Sequence, residues 1–142
     1  MASFFYRTTM NINMKTVFLI DDDSDDREIF EETLLSLNIG LKYEEAKNGA
    51  EAWEKLNSEE FQKPDLIFLD LNMPIMDGRQ FLKHLKQDKK FSNIPVIIYT
   101  TSSSEPDKDF ALQNDALFMT KQYSMALLRA DLTNAIQKFM EL

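Results

Sequence analysis

Short apolar runs alternate with amphipathic stretches along the chain from about Lys15 onward. Apolar runs bounded by turn residues are typical of strands buried on both faces, and apolar residues three and four positions apart indicate helices. These patterns predict five strands, at 16–20, 41–46, 66–69, 94–99 and 116–120. A helix is predicted after each strand, and the last one carries an apolar stripe formed by Leu128, Leu132, Ile136 and Phe139.

Capping residues and turn residues set the predicted helix ends. The first helix is expected to begin near Ser24 as its N-cap, with Phe30, Leu34 and Leu37 on one face, and to end at Gly40. The third and fourth helices are expected over 79–90 and 107–113. Pro95 fits only the start of a strand.

Alternating strands and helices with short connections predict an α/β fold, a parallel sheet with helices on both faces. The expected organisation is an N-terminal extension over residues 1–14 and one domain over residues 15–142. The carboxyl ends of parallel strands share one edge of the sheet, and ligands bind at that edge.

The amino-acid composition argues against several classes of function. The chain has 142 residues, no cysteine and a net charge of −8, so it can bury a sizeable core but offers no disulfide, thiolate metal site or cysteine nucleophile. No apolar run approaches the ~20 residues of a membrane span, and nucleic-acid binding normally needs a basic face. We therefore expect a soluble cytoplasmic protein that binds neither membranes nor nucleic acid.

Polar residues follow four of the predicted strands. Asp21 and Asp22 follow the first strand, Asp70 follows the third, Thr100 follows the fourth and Lys121 follows the fifth. Three carboxylates in one cleft repel one another unless a cation lies among them, and oxygen ligands of this kind favour Mg²⁺. With a lysine and a hydroxyl nearby, the set predicts a phosphoryl pocket in which Asp70 is the nucleophile.

The order and spacing of these residues resemble the receiver domain of two-component response regulators, here of the stand-alone, single-domain type. The motifs that carry the resemblance are the segments 18–22 and 69–78, Tyr99-Thr100 and Lys121. The resemblance extends over residues 15–142 and implies a flavodoxin-like, doubly wound (βα)5 fold with sheet order 2-1-3-4-5. It also implies that Asp70 accepts a phosphoryl group from a phosphohistidine of a sensor kinase or a phosphotransfer protein.

The resemblance assigns roles to further residues. Mg²⁺ would be held by Asp21 (through water), Asp22, Asp70 and the backbone carbonyl of Asn72. Thr100 and Lys121 would contact the phosphoryl oxygens, and Thr100 with Phe118 would form the switch. The positions that tune phosphoryl lifetime and access are Asn72, Thr101 and Ser102.

A downstream target protein would read the switch at the face made by the fourth helix, fifth strand and fifth helix. The chain ends at its fifth helix, so a signalling protein is expected, a monomer or a homodimer. It would not be an enzyme in the ordinary sense, since its own phosphorylation and slow dephosphorylation would be all that it catalyses.

Three positions depart from the family pattern, and one of them, Thr101, stands where a small residue is common and would narrow access to the pocket. Gln122 stands where the family has a proline joined by a cis peptide bond. A cis bond before a non-proline residue costs about 2.5 to 4 kcal/mol, so the loop either adopts it or follows a trans path that directs Lys121 differently. Asn114 stands where a helix-ending glycine is common, a mild change because asparagine tolerates the left-handed conformation.

Other interpretations remain open. Gln122 and Thr101 favour a phosphorylation-independent interaction module of the same fold. An aspartate-nucleophile phosphatase would need an acid where Asn72 stands, and an EF-hand loop starting at Asp21 would need glycine where Asp26 stands. Taken singly, Asp23, Asp25 and Asp26 are typical helix N-terminal acids, and His84 is expected to be exposed.

Overall fold

The computed structural model describes residues 14–140 and contains five strands that alternate with five helices. The strands are β1 (Thr16–Ile20), β2 (Lys42–Ala46), β3 (Leu66–Leu69), β4 (Val96–Thr100) and β5 (Leu117–Thr120). The helices are α1 (Ser24–Ser36), α2 (Gly49–Leu56), α3 (Gly78–Gln87), α4 (Glu105–Gln113) and α5 (Met125–Phe139). Of the predicted N-terminal extension, residues 1–13 lie outside the described residues.

All five strands are parallel and follow the order β2-β1-β3-β4-β5. The predicted flavodoxin-like architecture is therefore confirmed. The register places Ile20 of β1 beside Leu69 of β3, and Thr100 of β4 beside Thr120 of β5. The residues that follow these positions consequently come out at the same edge of the sheet.

Alternate side chains of the central strands point to opposite faces of the sheet, as the two-residue period of a strand requires. Phe18 and Ile20 pack in a cluster with residues of α2, α3 and α4, whereas Val17 and Leu19 pack with α1 and α5. β1, β3 and β4 are buried on both faces, which explains why they are continuous apolar runs in the sequence. Leu128, Leu132 and Ile136 of the predicted α5 stripe are buried, and Phe139 is half-buried.

The first helix is capped and ended by other residues than predicted. Asp23 is the N-cap, because its carboxylate accepts hydrogen bonds from the backbone N–H groups of Asp25 and Asp26. The helix ends at Ser36, and Asn38 adopts the left-handed conformation with φ 53°. Asparagine tolerates this conformation, so the chain has already left the helix before it reaches Gly40.

Several other boundaries differ by a few residues. α3 ends at Gln87, because Asp88 takes an extended conformation. α4 begins two residues earlier than predicted, since Ser104 caps it through the N–H of Asp107. Asn114 is not left-handed, and it is Asp115 that has φ 53°. None of the helices within residues 14–140 combines the length and the apolar character needed to cross a membrane.

Candidate functional site

The sheet ladder brings the predicted site residues to one edge. The backbone N–H of Asp70 donates to the carbonyl of Ile20 at 2.9 Å, so the residues after β1 and β3 lie side by side. The N–H of Lys121 donates to the carbonyl of Thr100 at 2.8 Å, which does the same for β4 and β5. The parallel register, rather than a special loop, therefore assembles the site.

Three carboxylates meet at this edge. Asp21, Asp22 and Asp70 each offer an oxygen atom, and these atoms lie within 4.8 Å of one another. Asp21 and Asp70 are buried and Asp22 is exposed. Among residues 14–140, nothing makes an aligned hydrogen bond to the buried Oδ2 of Asp21. An open acidic cluster with such an oxygen is suited to a hard divalent cation, which takes carboxylate oxygens and retains water on its open side.

Lys121 is the cation of the cleft. Its Nζ atom lies 2.7 Å from Oδ2 of Asp21, 2.8 Å from Oδ2 of Asp26 and 3.5 Å from Oδ2 of Asp70. The contact with Asp21 is an ion pair rather than a well-aligned hydrogen bond, since that oxygen lacks a hydrogen-bond partner. Only 10% of the lysine side chain is exposed, so its charge acts in a poorly solvated environment where electrostatic interactions are strong.

Burial shifts the ionisation of these groups. It raises the pKa of Asp21 to about 6, although Lys121 and the N–H of Asp23 oppose the rise. Burial also raises the pKa of Asp70, against the charge of Lys121 and the hydrogen bonds from Asn72 and Thr100. For Lys121, burial lowers the pKa, but the contacts with Asp21 and Asp26 outweigh it and leave the pKa above its usual value. The lysine is thus charged, and the ionised carboxylates are held at a free-energy cost.

Of the residues at the end of β4 and directly after it, not all line the cleft. Thr100 is buried, and its hydroxyl accepts a hydrogen bond from the N–H of Ser102 at 3.4 Å. The Ser102 hydroxyl donates to Asp107 of α4 at 2.6 Å, and Arg79 of α3 donates to the same carboxylate at 2.7 Å. Thr101 is exposed and lines a cleft of about 520 Å³ together with Asp22, Asp23, Ser24, Asp26, Asp70, Asn72 and Lys121.

The turn after Asp70 depends on glycine and on a cap. Asn72 is exposed, and its N–H donates to Oδ1 of Asp70 at 3.4 Å. Asp77 caps α3 with a capping box completed by Gln80. A Cβ atom on Gly78 would lie 2.1 Å from the carbonyl oxygen of Asp70, so no other residue fits without moving the backbone. Asp70 is therefore fixed by the turn that follows it.

The remaining predicted positions lie as follows. Phe118 is half-buried on β5 and packs against the core cluster shared by α2, α3 and α4. The Lys121–Gln122 peptide bond is trans, because residues 14–140 contain no cis bond, and Lys121 nevertheless reaches the carboxylates. His84 is exposed, as predicted.

Sequence reasoning missed the role of Asp26, which it assigned only to the helix N-terminus. The signal that could have revealed it is the position of Asp26 in the first turn of α1, directly after the strand end that carries Asp21. It also missed the bridge from Arg79 to Asp107 between α3 and α4, since no periodic pattern indicates an ion pair between helices.

The parallel sheet with an acidic cleft at its carboxyl edge defines a flavodoxin-like domain. The chain matches the response regulator receiver domain family over residues 17–133, and it belongs to that family. This match confirms the family predicted from the sequence. Members of the family are signalling proteins of two-component systems.

Curated relatives resemble this protein over about two thirds of its chain or more. The sensor histidine kinase CheAY of Helicobacter pylori is 37% identical over 109 residues, which are 76% of this chain but 13% of that protein. Response regulator Rcp1 of Synechocystis sp. is 34% identical over 97 residues, 66% of each chain. This chain thus spans only part of the length of these relatives.

Solved structures show the same fold. The phosphorylated cyanobacterial phytochrome response regulator RcpA is 27% identical, with a TM-score of 0.82 over 90% of this chain and 95% of that one. The Mn²⁺-bound form of Rcp1 is 27% identical, with a TM-score of 0.79 over 90% of this chain and 96% of that one.

Proposed function

We propose that this chain is a phospho-receiver in which Asp70 accepts a phosphoryl group from a phosphohistidine. The observation that carries the proposal is the convergence of Lys121, Asp21, Asp22 and Asp70 in one cleft. The solved structure of RcpA in phosphorylated form supports it by similarity. The donor would be a sensor kinase or a histidine phosphotransfer protein, in the cytoplasm.

In the transfer, a carboxylate oxygen of Asp70 attacks the phosphorus atom of the phosphohistidine. The new O–P bond forms as the N–P bond of the donor breaks, and the imidazole nitrogen keeps the electron pair and takes up a proton. Lys121 lies 3.5 Å from Asp70 and offsets the negative charge that arrives. Thr100 would supply a hydroxyl donor to a phosphoryl oxygen. Hydrolysis of the acyl phosphate by water would follow slowly.

Asp21, Asp22 and Asp70, with the backbone carbonyl of Asn72, would hold Mg²⁺. The donor set fits because it consists of oxygen atoms, has an exposed side at Asp22 and includes Oδ2 of Asp21, which makes no aligned hydrogen bond within residues 14–140. When bound, Mg²⁺ supplies positive charge to the phosphoryl oxygens. The Mn²⁺-bound form of Rcp1 supports the assignment by similarity.

The output of this proposal is a protein contact. Phosphorylation adds roughly −1.5 to −2 charges and three acceptor oxygens, which would draw Thr100 toward Asp70 and let Phe118 repack. Exposed Leu117, Tyr123 and Met125 lie on β5 and around the start of α5, so the α4-β5-α5 face offers apolar contacts to a downstream target. The active form would be a monomer or a homodimer.

Intact-protein mass spectrometry tests the proposal. The chain is incubated with phosphoramidate and Mg²⁺, beside a sample with EDTA and the Asp70→Asn variant. Asp109→Asn is a matched control, because Asp109 is exposed on α4 and its change removes the same charge. We expect one added phosphoryl group in the native chain and in Asp109→Asn, and none in the other two samples.

The result also separates the two candidate functions. A folded native chain that acquires no phosphoryl group and binds no beryllofluoride contradicts the proposal. It would instead support a phosphorylation-independent interaction module, with Gln122 and Thr101 as the first positions to revert to the family pattern.

A further inference from the structure

Besides the carboxylates at the strand ends, Lys121 also contacts a carboxylate of helix α1. Asp26 lies in the first turn of α1, and its Oδ2 atom is 2.8 Å from Nζ of Lys121, closer than Oδ2 of Asp70 at 3.5 Å. The Asp26 side chain is 35% exposed, whereas that of Asp70 is 8% exposed. The helix thus contributes a partly solvated competitor for the lysine of the cleft.

The distances show which contacts the lysine makes. Charge-assisted N–H···O bonds are typically about 2.7 to 2.9 Å long, so Lys121 is within this range of Asp21 and Asp26 but not of Asp70. The ammonium group is therefore held by an ion pair with Asp21 and a hydrogen bond to Asp26 before Asp70 is reached. A phosphoryl group on Asp70 needs the same donors, and the contact with Asp26 is the more solvated of the two to be given up.

We propose that Asp26 is a positioning residue that competes with Asp70 for Lys121 and thereby restrains acceptance of a phosphoryl group until the lysine is released from α1. The inference rests on the proposed phospho-receiver function and adds a residue that acts through Lys121 rather than by touching the phosphoryl group. Removal of the Asp26 charge should leave Lys121 free to move toward Asp70 and strengthen the binding of a phosphoryl mimic.

The test uses beryllofluoride, a phosphoryl mimic, at saturating Mg²⁺. The half-saturating concentration is read from the backbone amide signal of Thr101, which lines the cleft. Because a partly exposed ion pair is weak, we expect Asp26→Asn to lower this concentration about threefold to tenfold. Asp26→Glu restores a carboxylate on the same helix turn and should return the value to within about twofold of the native chain.

Asp25→Asn is the matched control. Asp25 lies beside Asp26 in α1 and is exposed, and its change removes one charge without touching Lys121. An equal gain in Asp25→Asn would show that only the summed charge matters, and the inference would be wrong. It would also be wrong if Asp26→Asn bound beryllofluoride as the native chain does or more weakly, or if Asp26→Glu behaved like Asp26→Asn.

Urea unfolding of the same variants separates positioning from stability, because a merely structural role would change the unfolding midpoint without improving beryllofluoride binding. The behaviour of the native chain shows whether the phospho-receiver function fails or only the role of Asp26. If it binds no beryllofluoride and forms no adduct, the phospho-receiver function itself fails. If it does both and Asp26→Asn matches it, only the role of Asp26 fails.

Discussion

Neutralising Asp21 should make the metal-free protein more stable, although the residue is buried at the centre of the site. Asp21 is fully buried, and in the part of the chain that the structure describes its Oδ2 atom accepts no aligned hydrogen bond. The side chain also accepts the N–H of Asp23 at 3.0 Å, a bond that the amide oxygen of asparagine can keep. The Asp21→Asn change therefore removes a buried charge and retains the local turn.

The magnitude follows from the ionisation of Asp21. Burial raises the pKa of its carboxyl from 3.8 to about 6, and one pKa step corresponds to about 1.36 kcal/mol, so the ionised form costs the folded protein about 3 kcal/mol. This cost already includes the ion pair with Lys121, which lowers the pKa of Asp21, and in the variant Asp26 and Asp70 still face the lysine. We expect Asp21→Asn to raise the free energy of unfolding by about 1 to 3 kcal/mol at pH 7.5.

The pH dependence has a definite sign. Because the folded carboxyl has the higher pKa, the folded state binds more protons than the unfolded state between pH 3.8 and about 6. The contribution of Asp21 to stability therefore falls as the pH rises through this window, and it stays low above it. The native chain should show this fall, and Asp21→Asn should lack it.

Urea unfolding in EDTA measures the effect, with circular dichroism as the probe. The expected gain shifts the midpoint by about 1 M. The control Asp25→Asn changes an exposed carboxylate in the first turn of α1 and should alter stability by no more than about 0.5 kcal/mol. With Mg²⁺ at 100 times its dissociation constant, the native chain should gain about 2.7 kcal/mol and the variant less. A less stable Asp21→Asn in EDTA would refute the reasoning, because the Lys121 ion pair would then outweigh the cost of burial.

Other variants test the supports of the site. Gly78→Ala should destabilise the protein by at least about 3 kcal/mol in urea unfolding and prevent phosphorylation, since its Cβ would lie 2.1 Å from the Asp70 carbonyl oxygen; a stable variant would show that the turn can relax. Asp77→Ala should cost about 1 kcal/mol through loss of the α3 cap, and an unchanged midpoint would contradict the assigned capping. Hydrogen bonds from Ser102 and Arg79 hold the pKa of Asp107 below its usual value, so its carboxyl carbon signal should titrate at lower pH than in an Arg79→Gln variant, and its stabilising contribution should disappear as the pH falls through that pKa.

The fold could be predicted because burial on both faces leaves a direct trace in the sequence. β1, β3 and β4 are continuous apolar runs, and these are the strands that the two core clusters enclose. Helix boundaries were less predictable, because several neighbouring residues can cap or end a helix. Asp23 precedes Ser24 as the cap, and Asn38 ends α1 before Gly40.

The convergence of site residues was predictable for a similar reason. In a parallel sheet all strands end at the same edge, so Asp21, Asp70 and Lys121 were expected at one edge once the strands were assigned. The distances among their side chains carry no such trace. Neither the trans path of the Lys121–Gln122 peptide nor the contact of Lys121 with Asp26 could be derived from strand and helix periods, because both depend on the path of a loop in three dimensions.

The charges around Lys121 explain why one cleft can suit both a cation and an anion. Four carboxylates surround the one lysine, those of Asp21, Asp22, Asp26 and Asp70. Burial disfavours the ionised forms of Asp21 and Asp70. A divalent cation would therefore relieve a repulsion between carboxylates that already exists in the folded protein. Once a cation is bound, the excess of negative charge is reduced and Lys121 becomes available to an incoming phosphoryl group. Metal binding and phosphoryl acceptance should therefore be coupled with positive sign. Reciprocity of binding free energies requires that beryllofluoride increase Mg²⁺ affinity by the same factor by which Mg²⁺ increases beryllofluoride affinity, and two titrations in which either ligand weakened the other would exclude this account of the cleft.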